Sequence, residues 1–413
     1  MNYDVIVVGG GASGLMAAGR AAELGARVLL LEKNKKLGEK LKISGGGRCN
    51  ITNAELDQRK FLQAYGASEQ FLYSAFSHFG VKDTFTFFEG QKLPLTVQAR
   101  KRAFPHTEKA GDVLAALEAY AAKGKVEIKT NTPVTRIVKG AGGISAVYSG
   151  KNEYRAKKYI FATGGVSHPE TGSTGDGFKW LKDLGHSVVE PTPTIVPLAT
   201  KESWSKELAG VSLSFMKITF YVDGKKQFSK TGKVLFTHFG LSGPLILNSA
   251  QSVDDLLYSG VVTATIDAYP HTDLGSLERM AVGVFDKNKN KALKNILREL
   301  VPEGTTKGVQ ALLEPLIDVH KKVHSITKEE RKLITRVLKA LPLTITGLMG
   351  FDRAVVADGG VPLEELDTKT MCSKKVPNLY LTGDLLHISR PSGGFSLQLC
   401  WTTGYVAGES AAS

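Results

Sequence analysis

The segment YDVIVVGGGASGLMAAGRAAELGARVLLLEKN, residues 3–34, decides the fold of this chain. Its apolar run Tyr3–Val8 is typical of a buried strand, Ser13–Leu24 has the apolar spacing of a helix, and Val28–Leu31 is a second buried strand. A strand, a tight turn, a helix and a second strand form a βαβ unit, with which a parallel sheet begins. The sequence therefore predicts an α/β protein built on a Rossmann-like domain.

The turn of this unit, GGGASG at Gly9–Gly14, fits the pattern G-x-G-x-x-G. An ordinary strand–helix turn is the alternative, but a strand precedes the pattern, a helix follows it, and the acidic Glu32 ends the next strand. Such glycines let a pyrophosphate approach the helix N-terminus, and the acid binds an adenosine ribose. An acid disfavours a 2′-phosphate, so FAD or NAD is predicted rather than NADP. The predicted cofactor contacts here are Gly9, Gly11, Ala12, Ser13, Gly14, Glu32 and Lys33.

A glycine-rich segment, KISGGGRCNITN at Lys42–Asn53, follows the βαβ unit. An extended dinucleotide would run outward from its pyrophosphate at this point, and glycines let backbone amides approach it without side-chain clashes. A surface loop with a solvated arginine is the alternative. We predict cofactor contacts from Ser44, Gly45, Gly46, Gly47, Arg48 and Asn50.

Three more glycine turns lie at the ends of predicted elements. ATGG begins at Ala162 after a strand, TGD begins at Thr382 after a strand, and Gly393-Gly394 precedes a closing helix at 395–411. An acid at a strand end can bind the ribityl chain of a flavin, and a helix N-terminus can stabilise negative charge at the flavin N1/O2 edge. The predicted contacts are Ala162, Thr163, Gly164, Gly383, Asp384, Gly394, Phe395, Ser396 and Leu397.

Composition narrows the class of protein. The chain has 413 residues, 42% of them hydrophobic, three cysteines and a net charge of +13. We find no apolar run of about 18 residues, no signal peptide and no cysteine spacing typical of metal sites, so we predict a cytoplasmic protein without a membrane span or a metal. Residues 287–340 hold 13 Lys and Arg against 6 Asp and Glu. A solvated helical face explains this excess better than nucleic acid, which we consider an unlikely partner.

The pattern of elements divides the chain. We predict an FAD-binding Rossmann-like domain at 1–190 plus 346–413, a β-rich domain at 191–273 plus 339–345, and a helical domain at 274–338. The insertions at 191–345 are expected to cover the flavin, and Arg102–Pro105 is expected in a polar loop. The oligomeric state is not indicated.

These motifs together resemble those of a known family. Gly9–Gly14 with Glu32, SGGGRCNITN, ATGG, TGSTGDG, LFTHFGLSGP, YLTGD and SGGFSLQLCWTTGYVAG are similar to the BaiN-type (aminoacetone oxidase-type) FAD-dependent oxidoreductases, also described as HI-type bacterial flavoproteins. The resemblance covers essentially the whole chain. It implies non-covalent FAD, a fold of the glutathione reductase and fumarate reductase group with inserted β-barrel-like and helical domains, and a flavin contact from Val134. The family commonly has Glu at the place of Asp384, and Arg390 stands where its members have hydroxyl or aromatic groups.

One similar-looking motif is interpreted differently. GAGGIS at Gly140–Ser145 has serine at its sixth position and lies between two apparent strands, which predicts a hairpin. A dedicated NAD(P)H domain is therefore not expected. Cys49 has no CxxC partner, so we predict a packed residue rather than a redox cysteine.

The reaction is less well defined by the sequence. Flavin N5 hydride chemistry on a small molecule is predicted, with candidate catalytic residues Arg48, Arg102, His238, His387 and Arg390. The first hypothesis is an oxidase or dehydrogenase of a small amine. The alternative is reduction of an activated C=C bond, for which NAD(P)H binds transiently and an arginine polarises the carbonyl. A basic flavoprotein that binds nucleic acid is the third hypothesis.

Overall fold

The computed structural model describes residues 2–413, and the chain forms two compact units. The first unit is Met1–Pro193 with Ala354–Ser413, and the second unit is Thr194–Arg353. The strands are β1 Asn2–Val8, β2 Val28–Leu31, β3 Thr52–Asn53, β4 Leu95–Gln98, β5 Arg102–Pro105, β6 Glu127–Lys129, β7 Arg136–Gly140, β8 Gly143–Ser149, β9 Asn152–Phe161, β10 Val189–Ile195, β11 Leu198–Thr200, β12 Ser212–Val222, β13 Lys225–Thr237, β14 Gly240–Ser242, β15 Val262–Asp267, β16 Leu341–Leu348, β17 Val356–Gly360 and β18 Leu379–Leu381. The helices are α1 Ala12–Glu23, α2 Glu39–Ile43, α3 Gln58–Leu62, α4 Glu69–His78, α5 Val81–Gly90, α6 Ala110–Lys123, α7 Asp176–Asp183, α8 Ser203–Lys206, α9 Pro244–Leu247, α10 Ala250–Leu257, α11 Leu274–Lys287, α12 Leu293–Ile296, α13 Thr306–Leu313, α14 Lys328–Lys339 and α15 Phe395–Ala412.

The first unit is built on a seven-stranded sheet. Its order is β6-β2-β1-β9-β8-β7, with β18 also paired to β9. The pairs β1–β2, β1–β9, β2–β6 and β9–β18 are parallel. All four residues of β2 are buried, because this parallel strand is covered on both faces. Such a strand needs an uninterrupted apolar sequence. The carboxyl ends of β1, β2, β9 and β18 therefore meet at one edge, where the predicted cofactor motifs follow them.

Helix α15 packs directly on α1 in this unit. A Cβ atom on Gly404 would lie 2.5 Å from the Ser13 oxygen, and one on Gly408 would lie 2.4 Å from the Ala17 oxygen. These two glycines let the helix backbones approach more closely than side chains would permit. The close packing connects the last helix to the helix of the first βαβ unit.

Two local predictions have different outcomes. Gly140–Ser145 forms the turn between the antiparallel strands β7 and β8, so the hairpin prediction is confirmed. Arg102–Pro105 is a strand rather than a polar loop, and the prediction of a loop was wrong. The physical reason is that Ala103, Phe104 and Pro105 are buried, and that β5 pairs with both β3 and β4.

The second unit contains a closed barrel of order β11-β14-β13-β12-β15-β16. The barrel and the helices share one hydrophobic core, in which Ile218 and Phe220 of β12 belong to the same cluster as Leu277 of α11 and Ile334 of α14.

The predicted α/β Rossmann-like fold is confirmed. The predicted domain limits and the separate helical domain stay predictions. Within residues 2–413, no helix combines the length and apolar character needed to cross a membrane.

Candidate functional site

The turn after β1 has one glycine that borders open space. Gly9 has a φ of +108°, and a Cβ there would lie 2.4 Å from the Ala162 oxygen. A Cβ on Gly14 would lie 1.9 Å from the Gly9 oxygen, so both positions exclude a side chain. By contrast, a Cβ on Gly11 would meet no atom within 4 Å. The amino end of α1 is thus packed on the sheet but open beside Gly11, and this space fits a phosphate.

Glu32 lies directly after β2 and is only 8% exposed. Its Oε2 accepts a hydrogen bond from the Gly10 amide at 2.7 Å, and its Oε1 accepts one from the Asn34 amide at 2.7 Å. These bonds fix the carboxylate while each oxygen keeps a lone pair for a ribose hydroxyl. The Thr132 amide donates to the Glu32 backbone oxygen at 2.8 Å, which brings the segment that carries the buried Val134 to the same place.

The segment TGSTGDG at 171–177 lies beside the end of β2. Lys33 forms a 2.8 Å ion pair with Asp176, and the Asn34 side chain donates to the Thr171 oxygen at 2.9 Å. A Cβ on Gly177 would lie 2.2 Å from Thr163 Oγ1, so this segment also packs against the turn after β9. Sequence reasoning did not select Asp176, although the quoted TGSTGDG motif contains it.

The three consecutive glycines form a tight turn after α2. Gly45, Gly46 and Gly47 have φ values of +57°, +68° and +84°. A Cβ on Gly45 would lie 2.8 Å from the Asn50 amide nitrogen, but Cβ atoms on Gly46 and Gly47 would meet nothing within 4 Å. Within the described chain, the backbone at these two positions is therefore open to a ligand. The Ser44 hydroxyl is used locally, since it donates to the Leu41 oxygen at 2.7 Å.

Cys49 follows this turn and is fully buried. Burial raises the pKa of its thiol to about 12. The thiol is therefore protonated near neutral pH and is a poor nucleophile. This environment agrees with the prediction of a packed residue.

The amino end of α15 is fixed by Asn50 and by β3. In the orientation of the Asn50 side-chain amide that satisfies both neighbours, its oxygen accepts from the Gly394 amide at 3.0 Å and its nitrogen donates to the Thr52 oxygen at 3.2 Å. A Cβ on Gly394 would lie only 2.3 Å from the Thr52 carbonyl carbon. Asn50 thus positions the glycine turn. The amides of Phe395, Ser396 and Leu397 come next, in the first turn of α15, where backbone amides have no acceptor within the helix.

Asp384 after β18 lies between two cations. Arg390 contacts Asp384 Oδ1, and Lys40 Nζ lies 3.2 Å from Oδ2. Burial alone would raise the pKa of Asp384, but Lys40 and Arg390 hold this pKa below its ordinary value. The carboxylate is therefore charged near neutral pH. Sequence reasoning missed Lys40, which precedes the glycine turn by only a few residues.

Arg390 is itself buried, and each of its three guanidinium nitrogens has a hydrogen-bond partner. Its side chain is 1% exposed, its Nε donates to Ser396 Oγ at 3.2 Å, and a terminal nitrogen donates to the Ile388 oxygen at 2.6 Å. Arg390 thus connects Asp384 with the first turn of α15. Close to it, the half-buried His387 donates its backbone amide to the Val361 oxygen at 3.0 Å.

Among the other candidate catalytic residues, Arg48 and Arg102 belong to the first unit and His238 to the second. Arg48 packs over the Phe104 ring at 4.4 Å and Arg102 at 5.9 Å, so the structure brings these two together. His238 is exposed in the turn between β13 and β14 of the second unit. The contacts of the predicted site residues with cofactor or substrate stay predictions. In the described part of the chain, no group of three or more His, Cys, Asp or Glu side chains could hold a metal ion.

The arrangement at this sheet edge defines a dinucleotide-binding flavoprotein of the oxidoreductase class. The open backbone at Gly11, the buried Glu32, the open glycine turn and the amino end of α15 together fit the phosphates, ribose and isoalloxazine of FAD. The HI0933-like protein Rossmann domain family matches residues 3–410, and the chain belongs to this family. The predictions of an FAD-dependent oxidoreductase and of FAD as its cofactor are confirmed.

Two curated relatives are similar over nearly the whole chain. The 3-dehydro-bile acid delta(4,6)-reductase of Clostridium scindens is 30% identical over 410 residues, which cover 98% of each chain. A ribosomal RNA dihydrouridine synthase of Escherichia coli is 26% identical over 407 residues, which cover 98% of this chain and 97% of that protein.

Solved structures share the fold at low identity. The 3-ketosteroid-delta4-(5alpha)-dehydrogenase of Rhodococcus jostii RHA1 matches with a TM-score of 0.57 and 14% identity, covering 100% of this chain and 97% of that chain. A flavocytochrome c3 fumarate reductase matches with a TM-score of 0.50 and 15% identity, covering 100% of this chain and 78% of that chain. At such identities the likeness concerns the fold alone.

Proposed function

We propose that this protein uses FAD to reduce a carbon–carbon double bond conjugated to a carbonyl group. The observation that carries the proposal is the similarity, over the whole chain, to the bile acid reductase. A 3-oxo group and a Δ4 double bond form such a conjugated system. The uracil ring has the same feature, since its C5–C6 double bond is conjugated to the C4 carbonyl. Both relatives are therefore named for hydrogen addition to one kind of functional group.

The chain supplies binding and orientation. When bound, FAD supplies hydride transfer at N5. The amino end of α1 with Gly11 would hold the pyrophosphate, and Glu32 would accept hydrogen bonds from the adenosine ribose. Asp384 would hold the ribityl chain, and the amino end of α15 would stabilise negative charge at the pyrimidine end of the ring. Arg390 is a positioning residue, because it holds Asp384 and Ser396 in place.

A free donor is required to polarise the substrate carbonyl. The nitrogens of Arg390 already bond to Asp384, Ile388 and Ser396, so Arg390 is poorly suited to this task. Arg48 is 39% exposed, follows the open glycine turn directly, and has only a long 3.4 Å bond to Gln98 and a 3.6 Å ion pair with Glu108. We assign the carbonyl to Arg48. Roles for His387 and His238 stay predictions.

NAD(P)H is the reductant in this proposal, as a transient second substrate. It is transient because Gly140–Ser145, which resembles a second dinucleotide-binding turn in sequence, belongs to the β7–β8 hairpin and cannot bind a dinucleotide in that way. A cytoplasmic location also stays a prediction.

Uridine in RNA is a second candidate substrate. It is favoured by the match to the dihydrouridine synthase, which extends over 98% of this chain, and by the net charge of +13. Oxidation of a small amine has no support from either relative and is retained as an outcome of the experiment.

Anaerobic flavin spectroscopy tests the proposal. The purified protein should release FAD rather than FMN on denaturation, and NAD(P)H should bleach the bound flavin. A 3-oxo-Δ4 steroid or a uridine-containing RNA should then restore the colour, with a product heavier by two hydrogen atoms. Arg48→Lys should stay yellow but restore the colour more slowly, because a lysine lacks the planar fork. Anaerobic bleaching of the flavin by amines and peroxide formation once air is admitted, with no reaction of enones, would replace this proposal with an amine oxidase.

A further inference from the structure

Two arginines share one aromatic ring beside the open glycine turn, and a third arginine lies close to them in the sequence. Arg48 and Arg102 pack over the ring of Phe104, and a Cβ on Gly45 would lie 3.5 Å from the same ring. Arg100 lies two residues before Arg102 in the sequence. Burial lowers the pKa of Arg102, and the charges of Arg100 and Arg48 lower it further. The positive charges are thus close enough to destabilise one another.

Two of these three charges have no acidic partner in the described part of the chain. Among residues 2–413, no carboxylate lies within 4.0 Å of the guanidinium of Arg100 or Arg102. Arg102 Nε donates only to the Ala99 oxygen, at 3.2 Å. Arg48 differs from them, because it forms an ion pair with Glu108 at 3.6 Å. Two guanidinium groups therefore keep free donors.

The backbone that presents them is strained. Arg100 and Lys101 are consecutive non-glycine residues with left-handed φ values of +61° and +57°. This conformation is held by the Asn53 side chain, which donates to the Arg100 oxygen at 3.3 Å, and by the Ala54 amide, which donates to the Lys101 oxygen at 2.6 Å. Such strain persists where the surroundings fix it, and it is frequent at binding sites.

We propose that Arg100 and Arg102 form a binding site for the oxyanion of a small-molecule reactant. A guanidinium group binds a phosphate or a carboxylate through two parallel hydrogen bonds. The oxyanion is either a phosphate of the pyridine nucleotide or a carboxylate of the enone substrate. The identity of the reactant rests on the proposed function, but the anion site itself does not.

Inorganic phosphate is the first probe. At constant ionic strength, phosphate should raise the melting temperature of the FAD-loaded protein in a saturable way. Arg100→Gln and Arg102→Gln should each weaken phosphate binding roughly tenfold or more, the scale of a charged hydrogen bond. Arg136→Gln is the matched control, because Arg136 also packs on an aromatic ring, that of Tyr148, at 3.8 Å. It should bind phosphate as the wild type does.

Two kinetic comparisons distinguish the sources of the oxyanion. If a nucleotide phosphate binds, the two variants lose a preference for NADPH over NADH. If a substrate carboxylate binds, they lose a preference for a carboxylated steroid enone over its methyl ester. Unchanged phosphate dependence in both variants, or both preferences retained, overturns the proposal. Arg100 is exposed, so Arg100→Gln tests the site even where Arg102→Gln does not fold. The phosphate measurement needs no turnover, and it therefore fails independently of the proposed reaction.

Discussion

Single glycines in this chain serve two different purposes. At Gly9 and Gly14 protein atoms occupy the position that a side chain would take, so these residues allow the chain to pack against itself. At Gly11, Gly46 and Gly47 no atom of the described chain lies within 4 Å of that position. The sequence pattern does not distinguish the two kinds, but the structure does. Only the second kind gives a ligand access to the backbone.

The first prediction at this scale concerns Glu32. Glu32→Ala should weaken FAD retention by about 1–3 kcal/mol, the scale of hydrogen bonds to a charged group. Because Glu32 also accepts from the Gly10 and Asn34 amides, part of the loss could come from the turn itself. FMN separates the two causes, since it lacks the adenosine. The dissociation constant of FAD should rise in the variant, while that of FMN should stay unchanged. An equal rise for both flavins would mean that the carboxylate only holds the turn.

A second residue-scale prediction compares two glycines. Gly46→Val should give folded but colourless protein, because its side chain would enter the space next to the flavin. Gly150→Val is a matched control: Gly150 is also exposed, has a φ of +57° against +68° for Gly46, and its Cβ would meet nothing within 4 Å. Backbone strain is thus similar in both variants. Flavin absorbance relative to protein absorbance, beside a circular dichroism melt, should separate them; equally yellow variants would show that Gly46 serves only the turn.

At the scale of elements, the amino end of α15 is held by side chains from three directions. Asn50 binds the Gly394 amide, Arg390 binds Ser396, and the hydroxyl of Tyr65 donates to the Phe395 oxygen at 2.9 Å. A helix of 18 residues has a substantial dipole, and its effect on a bound ring depends on where the first turn is placed.

Removing one of these bonds should alter the flavin. Tyr65→Phe keeps the buried ring but removes its hydroxyl, which should cost about 1 kcal/mol of stability and shift the flavin reduction potential. Tyr380→Phe is the control, because the Tyr380 hydroxyl donates to the Ser410 oxygen at 3.3 Å, near the other end of α15. It should change stability but not potential. Equal potentials in both variants and the wild type would argue against any influence of the first turn on the ring.

Elements made by neighbouring residues could be predicted from the sequence. The βαβ unit, the Gly140–Ser145 hairpin and α15 depend on local periodicity and turn residues. Strand β5 was missed because its partners β3 and β4 determine it, and a segment of four residues carries little periodicity of its own. Lys40 and Asp176 were missed for a related reason: their ion partners, Asp384 and Lys33, are 344 and 143 residues away along the chain. Only folding brings such charges together.

At the scale of the whole molecule, a buried network connects distant parts of the first unit. His186 Nδ1 lies 2.6 Å from Glu365 Oε2, and His186 Nε2 lies 2.8 Å from Ser373 Oγ. Burial lowers the pKa of His186. Burial would raise the pKa of Glu365, but hydrogen bonds from Lys375, His186 and Ser187 lower it to about 2. A neutral imidazole and a charged carboxylate therefore occur together near neutral pH.

This network makes stability depend on pH. Both groups have a lower pKa in the folded than in the unfolded protein. The stability that depends on His186 is therefore fully present above pH of about 6.5, and the stability that depends on Glu365 is fully present above pH of about 4.5. The free energy of unfolding should fall as pH falls below these values. Glu365→Gln should cost about 1–3 kcal/mol at neutral pH and flatten the decline below pH of about 4.5.

Urea midpoints measured across this pH range test the prediction. Glu170→Gln is the control, because His168 and Glu170 form a comparable pair at 2.8 Å in which the Glu170 side chain is 59% exposed. Its pH profile should match that of the wild type. A Glu365→Gln profile parallel to the wild type would exclude the buried network as the source of acid sensitivity.

The two strands at which the chain leaves and re-enters the first unit have a consequence for how such proteins diversify. Strands β10 and β17 pair with each other, and a Cβ on Gly359 would lie 2.5 Å from Pro191 Cα. The two ends of the first unit are therefore neighbours, and a short glycine–serine loop could join them in place of residues 194–353. We expect this shortened chain to fold and remain yellow, because every predicted FAD contact lies in the part that is kept. Residues 194–353 would then be a replaceable insertion, and a different insertion could be joined to the same two strands while the cofactor-binding framework stays intact.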